Sequence, residues 1–268
     1  MGVINVTPDS FSDGGTFLDP GRAIDHALRL VEDGAAILDI GGESTRPGAD
    51  DVPVETELAR VLPVVRGLAG RTAAAISIDT RKPEVARVCI GEGASIWNDV
   101  SALQFGAESL ALAARLGCRV VLMHAKGGPR TMQENPRYED VCVEALAFLE
   151  SRLETAVRAG IARERLIVDP GIGFGKTLEH NLELLGGLPR FAGLGVPLLV
   201  GVSRKRFIGM IGRYGDEEPG PGDRLGGSIA AALAAAAGGA SLLRVHDVSA
   251  TRQALAVAAA IQKYRTRP

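Results

Sequence analysis

Residues 74–99 read AAISIDTRKPEVARVCIGEGASIWND, and this stretch decides the fold. Ala74–Asp79 is a short apolar run ending in an acid, as a buried parallel strand would. Pro83–Glu92 is amphipathic and begins on proline, which suits a first helical turn. Ser95–Asp99 is again strand-like and ends in polar residues. Strand, helix, strand is one βα unit with the next strand attached, and the rhythm repeats in both directions. The other expected strands are Gly2–Val6, Ala36–Ile40, Arg119–Met123, Leu166–Asp169, Pro197–Val202 and Ser241–Val245. Amphipathic stretches fall at Gly21–Asp33, Val54–Leu68, Tyr138–Ala159, Leu178–Leu188, Asp223–Ala237 and Val248–Tyr264. Eight such units without a break predict an α/β fold, a single-domain (β/α)8 TIM barrel over residues 1–268. An open doubly wound sheet has the same rhythm, because periodicity does not show closure. Strand one starts at Met1, so an extension before it is expected to cover the barrel floor.

Composition excludes several classes. Net charge is -2 with acids and bases interspersed, which gives no footprint for nucleic acid or an anionic membrane. The longest apolar run, Ile229–Ala237, is far short of the roughly 20 residues that span a bilayer. No signal pattern opens the chain. Cys89, Cys118 and Cys142 are isolated in apolar surroundings and read as reduced core residues. The expectation is a cytoplasmic protein with no membrane contact.

The position of the polar residues points to chemistry. At or just after the strand ends stand Asn5, Asp39, Asp79, Asn98 with Asp99, His124, Asp169, Ser203 with Arg204 and Lys205, then Arg244, His246 and Asp247. In a parallel barrel these ends share one mouth, where active sites sit. Burying so many polar groups costs stability unless they are paired or bind something. One such Asp is ordinarily a cap or turn residue, a reading that suffices for Asp99 or Asp247 but not for the set. The loops after strands one and two, Thr7–Gly15 and Gly41–Gly48, are rich in glycine and hydroxyls. They are roughly twice the usual βα length. Gly171-Ile-Gly-Phe-Gly175-Lys176 imitates a phosphate loop, but encloses three residues where a Walker motif needs four. The histidines are scattered, with His26 and His180 expected on helix surfaces.

Seven ordered segments carry a resemblance. Gly2–Gly15, Asp39–Ala49, Ser77–Pro83, Trp97–Ser101, Asp169–Lys176, Gly201–Lys205 and Arg244–Val248 resemble the motifs of the dihydropteroate synthase family, of pterin-binding barrel enzymes. The resemblance implies a transferase of folate biosynthesis and a sulfonamide target. It would condense 6-hydroxymethyl-7,8-dihydropterin diphosphate with p-aminobenzoate. It implies that Asp79, Asn98, Asp169, Lys205, Arg244, Met123 and Phe174 hold the pterin, and that Asn5, Thr45, Arg244 and His246 hold the diphosphate. Phe11, Thr45, Arg46, Pro47 and Ser203 would form the p-aminobenzoate pocket, with Asp13 pairing with Arg46. Asp79, Lys205, Arg244 and His246 are the implied catalytic set. Asn5 would ligate Mg2+, and the chain would form a homodimer through its Ala-rich late helices. Ala125-Lys126 after His124 departs from the family pattern, so no role passes to His124. A corrinoid-linked methyltransferase or a non-catalytic pterin-binding subunit are the rival readings. Neither needs the whole anion set.

Overall fold

The computed structural model describes residues 1–7, 19–44, 49–128 and 131–265. Eight parallel strands run around a ring: β1 (Gly2–Asn5), β2 (Ile37–Gly41), β3 (Ala75–Asp79), β4 (Ile96–Asp99), β5 (Arg119–Met123), β6 (Leu166–Asp169), β7 (Leu199–Gly201) and β8 (Leu242–Arg244). β1 to β6 pair in sequence order, and β7 pairs with β8. Two narrow seams join these sheets. At one, Val168 N donates to Pro197 O at 3.0 Å and Val168 bridges Leu198. At the other, Val3 N donates to Val245 O at 3.1 Å and Val245 N to Met1 O at 3.0 Å. These bonds close the barrel and exclude the open sheet.

All eight strands lie where the sequence places them, within a residue or two. The helices are α1 (Pro20–Glu32), α2 (Val54–Leu68), α3 (Pro83–Gly91), α4 (Ser109–Leu116), α5 (Val141–Arg158), α6 (Leu178–Gly186), α7 (Leu188–Ala192), α8 (Arg206–Ile211), α9 (Leu225–Ala237) and α10 (Val248–Arg265). The expected helix from Tyr138 starts later, because Asp140 accepts a hydrogen bond from Val143 N at 2.9 Å and caps it there. The short α4, α7 and α8 go beyond the amphipathic stretches read from sequence, being too brief to show a clear period. His180 is half-buried rather than a plain surface residue. It closes a reciprocal capping box with Thr177 at the start of α6.

Strand alternation sorts the core into layers. Leu38, Ile40, Ile76 and Ile78 point outward with Val61, Val64 and Val65 of α2. Trp97, Val120, Leu122 and Val168 pack likewise against Leu149 and Leu153 of α5. The intervening residues point inward. Ile37, Ile96, Val121, Ile167 and Leu199 fill the lower interior. Two residues farther along the same strands, the inward positions are Asp39, Asn98, Met123, Asp169 and Gly201. An apolar floor therefore lies under a polar mouth. Each buried Leu or Ile contributes about 1.5–3 kcal/mol, so the lower layers and outer shell stabilise what the mouth costs.

Cys89, Cys118 and Cys142 are free and buried. Burial pushes the Cys89 thiol up to about 12 and raises the other two. The expected outcome is that a disulfide reagent such as DTNB titrates no thiol rapidly in native buffer and all three in guanidinium chloride. A thiol that reacts at once in the native protein contradicts this packing.

Candidate active site

Arg244 at the end of β8 crosses the mouth to β2 and β3. Its Nε donates to Asp39 Oδ2 at 2.6 Å, and its Nη2 to Asp79 Oδ2 at 2.7 Å. Asn98 Nδ2 donates to the same Asp39 oxygen at 3.1 Å. Strand register levels these groups, since Asn5 is matched with Gly41, Gly41 with Asp79, and Asp79 with Asn98. Asp39 is fully buried, Asp79 is 11 % exposed and Arg244 23 % exposed. Two carboxylates thus share one guanidinium. Burial pushes Asp79 up to about 7, against the pull of Arg244 and with a further push from Asp39. Burial pulls Arg244 down, but Asp39 and Asp79 hold it above its ordinary value, so it stays charged. Asp39 Oδ1 and Asp79 Oδ1 are buried without a hydrogen-bond partner among the described residues. Such orphaned acceptors in a charged mouth mark where a ligand's donors or a cation would go.

A second group lies at the ends of β5 to β7. Asp169 Oδ1 accepts from Gly171 N at 2.7 Å. Burial raises its pKa, opposed first by Lys205. Lys205 Nζ donates to Ile172 O and stands 4.8 Å over the Phe174 ring. Burial lowers this lysine to about 8, against the pull of Asp169. Met123 and Phe174 border a cleft of about 240 Å³, together with Arg81, Val100, Phe105 and Met132. Asp79, Asn98 and Asp169 do not line that cleft; they are engaged by Arg244, Asp39 and the Gly171 N–H respectively.

The third group comes from the loops after β7 and β8. Ser203 Oγ accepts from His246 N at 3.2 Å and lies 3.0 Å from its Nδ1. Arg204 has a positive φ of 60° and is held there by its N–H on Ser228 Oγ at 2.9 Å. Its guanidinium makes a two-point pair with Asp247 at 3.0 and 2.6 Å. This staple fixes the two segments that carry Lys205 and His246. Asn5 faces Asp79 across Gly41, where an added Cβ would stand 3.6 Å from Asp79 Oδ2 and 3.8 Å from Asn5 Oδ1.

The structure therefore gathers Asn5, Asp79, Asn98, Met123, Asp169, Phe174, Ser203, Lys205, Arg244 and His246 at one mouth. Phe11, Asp13, Thr45, Arg46 and Pro47 lie outside the described residues. Asp39, singled out in the sequence only as a polar strand end, proves to be the anchor for both Arg244 and Asn98. Asp99 fits its bland reading, since it accepts from the Ser101 and Leu103 N–H groups at 2.7 and 2.9 Å. Glu43 was also missed. It binds Arg81 at 3.2 Å, Lys82 at 2.9 Å and Val52 N at 2.9 Å, tying the stem of the β2–α2 loop to the end of β3. Its signal was the charged pair Arg81-Lys82, one residue beyond the strand-end Asp79. Among the described residues no group of three His, Cys, Asp or Glu is arranged to hold a metal ion. No described helix is long and apolar enough to cross a membrane.

Comparison with known proteins agrees with this geometry. Residues 1–246 match the family described as "Pterin binding enzyme". Dihydropteroate synthase of Escherichia coli (strain K12) is 49% identical over 257 residues, covering 96% of this chain and 89% of that protein. The enzyme of Synechocystis sp. is 46% identical over 261 residues, covering 97% and 89%. Among solved structures, Xanthomonas albilineans dihydropteroate synthase with 4-aminobenzoic acid superposes with a TM-score of 0.91 at 51% identity, over 100% of this chain and 93% of that one. The same enzyme with 7,8-dihydropteroate gives 0.87 at 49% identity, over 100% and 94%. The Yersinia pestis enzyme in a sulfonamide drug complex gives 0.93 at 44% identity, over 98% and 94%. With the match running through every strand of the barrel, this chain belongs to the pterin-binding enzymes, as a member of their dihydropteroate synthase family.

Proposed function

We propose that this chain joins 6-hydroxymethyl-7,8-dihydropterin diphosphate to p-aminobenzoate, giving dihydropteroate and diphosphate. The observation that carries this reading is the contact of Arg244 with Asp79. It puts an anion receptor and a heterocycle receptor in one mouth. A corrinoid-linked methyltransferase expels no diphosphate and gives no reason for Arg244 and His246 to stand there.

Each residue's role follows from what its neighbours leave free. Asn98 spends its amide N–H on Asp39, so its oxygen is left to accept from the ring. Asp169 accepts one bond from Gly171, and an ionised carboxylate has capacity for the planar N–H pair of a pterin. Phe174 and Met123 offer flat and soft apolar contact. Lys205 gives up the Ile172 carbonyl to reach a ring acceptor. Arg244 has Nη1 uncommitted among the described residues, and its planar face suits stacking while this donor points at the diphosphate. Ser203 Oγ is occupied by His246, which favours a role orienting that imidazole toward the anion over a place in the p-aminobenzoate pocket. That pocket then falls to Phe11, Thr45, Arg46 and Pro47.

The step is dissociative. The bond from the pterin's methylene carbon to the diphosphate oxygen breaks, and its electron pair leaves with the diphosphate. The cation spreads into the electron-rich ring beside the Asp79 and Asp39 carboxylates. The aniline nitrogen adds its lone pair to the carbon and loses a proton to solvent. This nitrogen is already nucleophilic, so no strong base is needed. Mg2+ fits the donor set, because it keeps several waters and takes few protein oxygens; Asn5 Oδ1 would hold it and the ion would neutralise the leaving diphosphate. Three unpaired thiols suit a reducing compartment, and we place the chain in the cytoplasm.

A homodimer through the late helices completes the reading. Val257, Ile261 and Tyr264 are exposed at helical spacing along α10, and Leu225 at the start of α9 and Ile211 at the end of α8 are exposed as well. Apolar stripes of this kind mark association surfaces.

Three measurements test these roles. Purified chain with Mg2+ and both substrates should form dihydropteroate, and Asp79→Ala should lower turnover by about 100-fold, the scale of one lost electrostatic group. Full turnover in that variant removes the electrostatic role. The second test uses pH. Asp79 holds its proton up to about 7 in the fold against an ordinary 3.8, so the unfolded chain releases it first. Its contribution to stability therefore falls as pH rises through that window, and levels above it. Asp79→Asn should gain in urea midpoint relative to the parent between pH 5 and 8. A constant difference means that Arg244 keeps Asp79 ionised throughout. Third, the chain should sediment as a dimer, and Ile261→Asp should shift it toward monomer; an unchanged mass for that variant excludes α10 from the contact.

A further inference from the structure

The loop Gly171–Gly175 has the composition of a phosphate loop and the opposite polarity. An anion nest needs free N–H groups. Here Gly171 N is taken by Asp169 at 2.7 Å, Gly173 N by Asn181 Oδ1 at 2.6 Å and Phe174 N by Gly171 O at 3.1 Å. The carbonyls are captured as well, by side chains from the segment after β5, from beside the loop itself and from the segment after β7. Lys205 donates to Ile172 O, Gln133 Nε2 to Gly173 O at 2.9 Å, Lys176 Nζ to Phe174 O at 2.9 Å and Tyr138 Oη to Gly175 O at 2.9 Å. The glycines serve closeness. Gly171 and Gly175 have φ of +69° and +64°, and a Cβ there would lie 1.9 Å from His124 O and 2.2 Å from Lys126 O. The loop is pressed onto the segment that follows β5.

Lys176 sews that seam from beneath. It is 2 % exposed, and its three protons have three acceptors: Phe174 O at 2.9 Å, His124 O at 3.3 Å and His124 Nδ1 at 3.0 Å. The third bond requires a neutral imidazole with its proton on Nε2. Burial of His124 between Tyr138 and Phe148 pushes it down to about 3 and keeps it neutral. Burial lowers Lys176 to about 7, against the pull of Asp169. The lysine's charge in turn helps to keep Asp169 ionised.

We propose that Lys176 is a positioning residue for the pterin: by tying the Phe174 carbonyl to His124, it holds the Phe174 ring and the Asp169 carboxylate at the spacing a flat heterocycle needs. This deepens the proposed reaction and rests on it. Lys176 touches no reacting atom, so its loss weakens pterin binding and leaves the other substrate and the chemical step nearly alone.

The test measures kcat and both KM values, with melting temperature, for the full chain and for Lys176→Met, Tyr138→Phe and Gln133→Ala. Lys176→Met should raise KM for the pterin diphosphate about tenfold, the scale of one lost charge-assisted bond, with KM for p-aminobenzoate within about twofold. Lys176→Gln, which keeps a donor for Phe174 O, should recover part of the loss. Gln133 is exposed, so Gln133→Ala should keep its melting temperature and still raise the pterin KM about two- to threefold. If Lys176→Met does not fold, Tyr138→Phe and Gln133→Ala decide the matter. An unmoved pterin KM in the folded variants, or a parallel rise in both KM values, overturns the positioning role. A parent chain without turnover overturns the proposed reaction instead, so the two failures are distinguishable.

Discussion

One largely buried guanidinium orders this molecule. Arg244 comes from the last strand and binds carboxylates on the second and third at 2.6 and 2.7 Å. No chain that left its sheet open at β8 could make that contact. Barrel closure and site assembly are therefore the same event, and Val245, whose bonds to Met1 and Val3 close the ring, directly follows Arg244. Removing Arg244 would leave Asp39 and Asp79 together without their cation, a loss of about 3–5 kcal/mol for a broken buried pair. The reverse dependence holds too. Asp39 binds both Arg244 and Asn98, and without it they lose the oxygen they share.

The cost of that mouth is met by strand period. Inward residues two positions apart change from Ile37 to Asp39, from Ile96 to Asn98 and from Ile167 to Asp169. The same three strands therefore build an oil-filled floor and a charged rim. Outward residues of those strands, Leu38, Trp97 and Val168 among them, are fully buried under helices. Rigidity matters here more than stability alone. Groups that must meet a transition state cannot reorganise at the moment of reaction, and a packed floor two residues below limits how far they can move.

Much of this was legible in the sequence, for physical reasons. Strands buried on both faces are short apolar runs, and their polar carboxyl ends break the pattern at the point where the mouth begins. All eight were visible for that reason. Pairing was not visible. Nothing in Asp39 announces that it binds Arg244, because 205 positions separate them and only closure joins them. Short helices such as Ser109–Leu116 were lost to the opposite difficulty: eight residues hold barely two turns, preceded here by Ala102 and Leu103 at φ of 53° and 60°. Gly171–Lys176 misleads by composition, since glycine serves close backbone approach as readily as anion binding. Only hydrogen-bond direction separates the two uses. The same holds for His124, which looks like a site histidine by position and is instead the acceptor for a buried lysine.

Charge balance links these elements to the reaction. Around the mouth stand the carboxylates Asp39, Asp79 and Asp169 and the cations Arg244, Lys205 and Lys176. They are not evenly mixed. The two carboxylates near β2 and β3 share one guanidinium, so that side turns negative once Asp79 ionises. On the β6 side Asp169 faces two lysines, leaving it positive, although burial moves both lysines toward neutrality. A ligand that develops positive charge on its carbon as negative charge departs is suited to such an asymmetric field. A uniformly cationic pocket would hold the diphosphate tightly before and after the bond breaks, binding ground and transition states alike, and would gain nothing in rate. The Oδ1 atoms of Asp39 and Asp79, without a partner among the described residues, are then not a defect of packing. In the proposed dissociative step they would face a cation that exists only while the bond is broken.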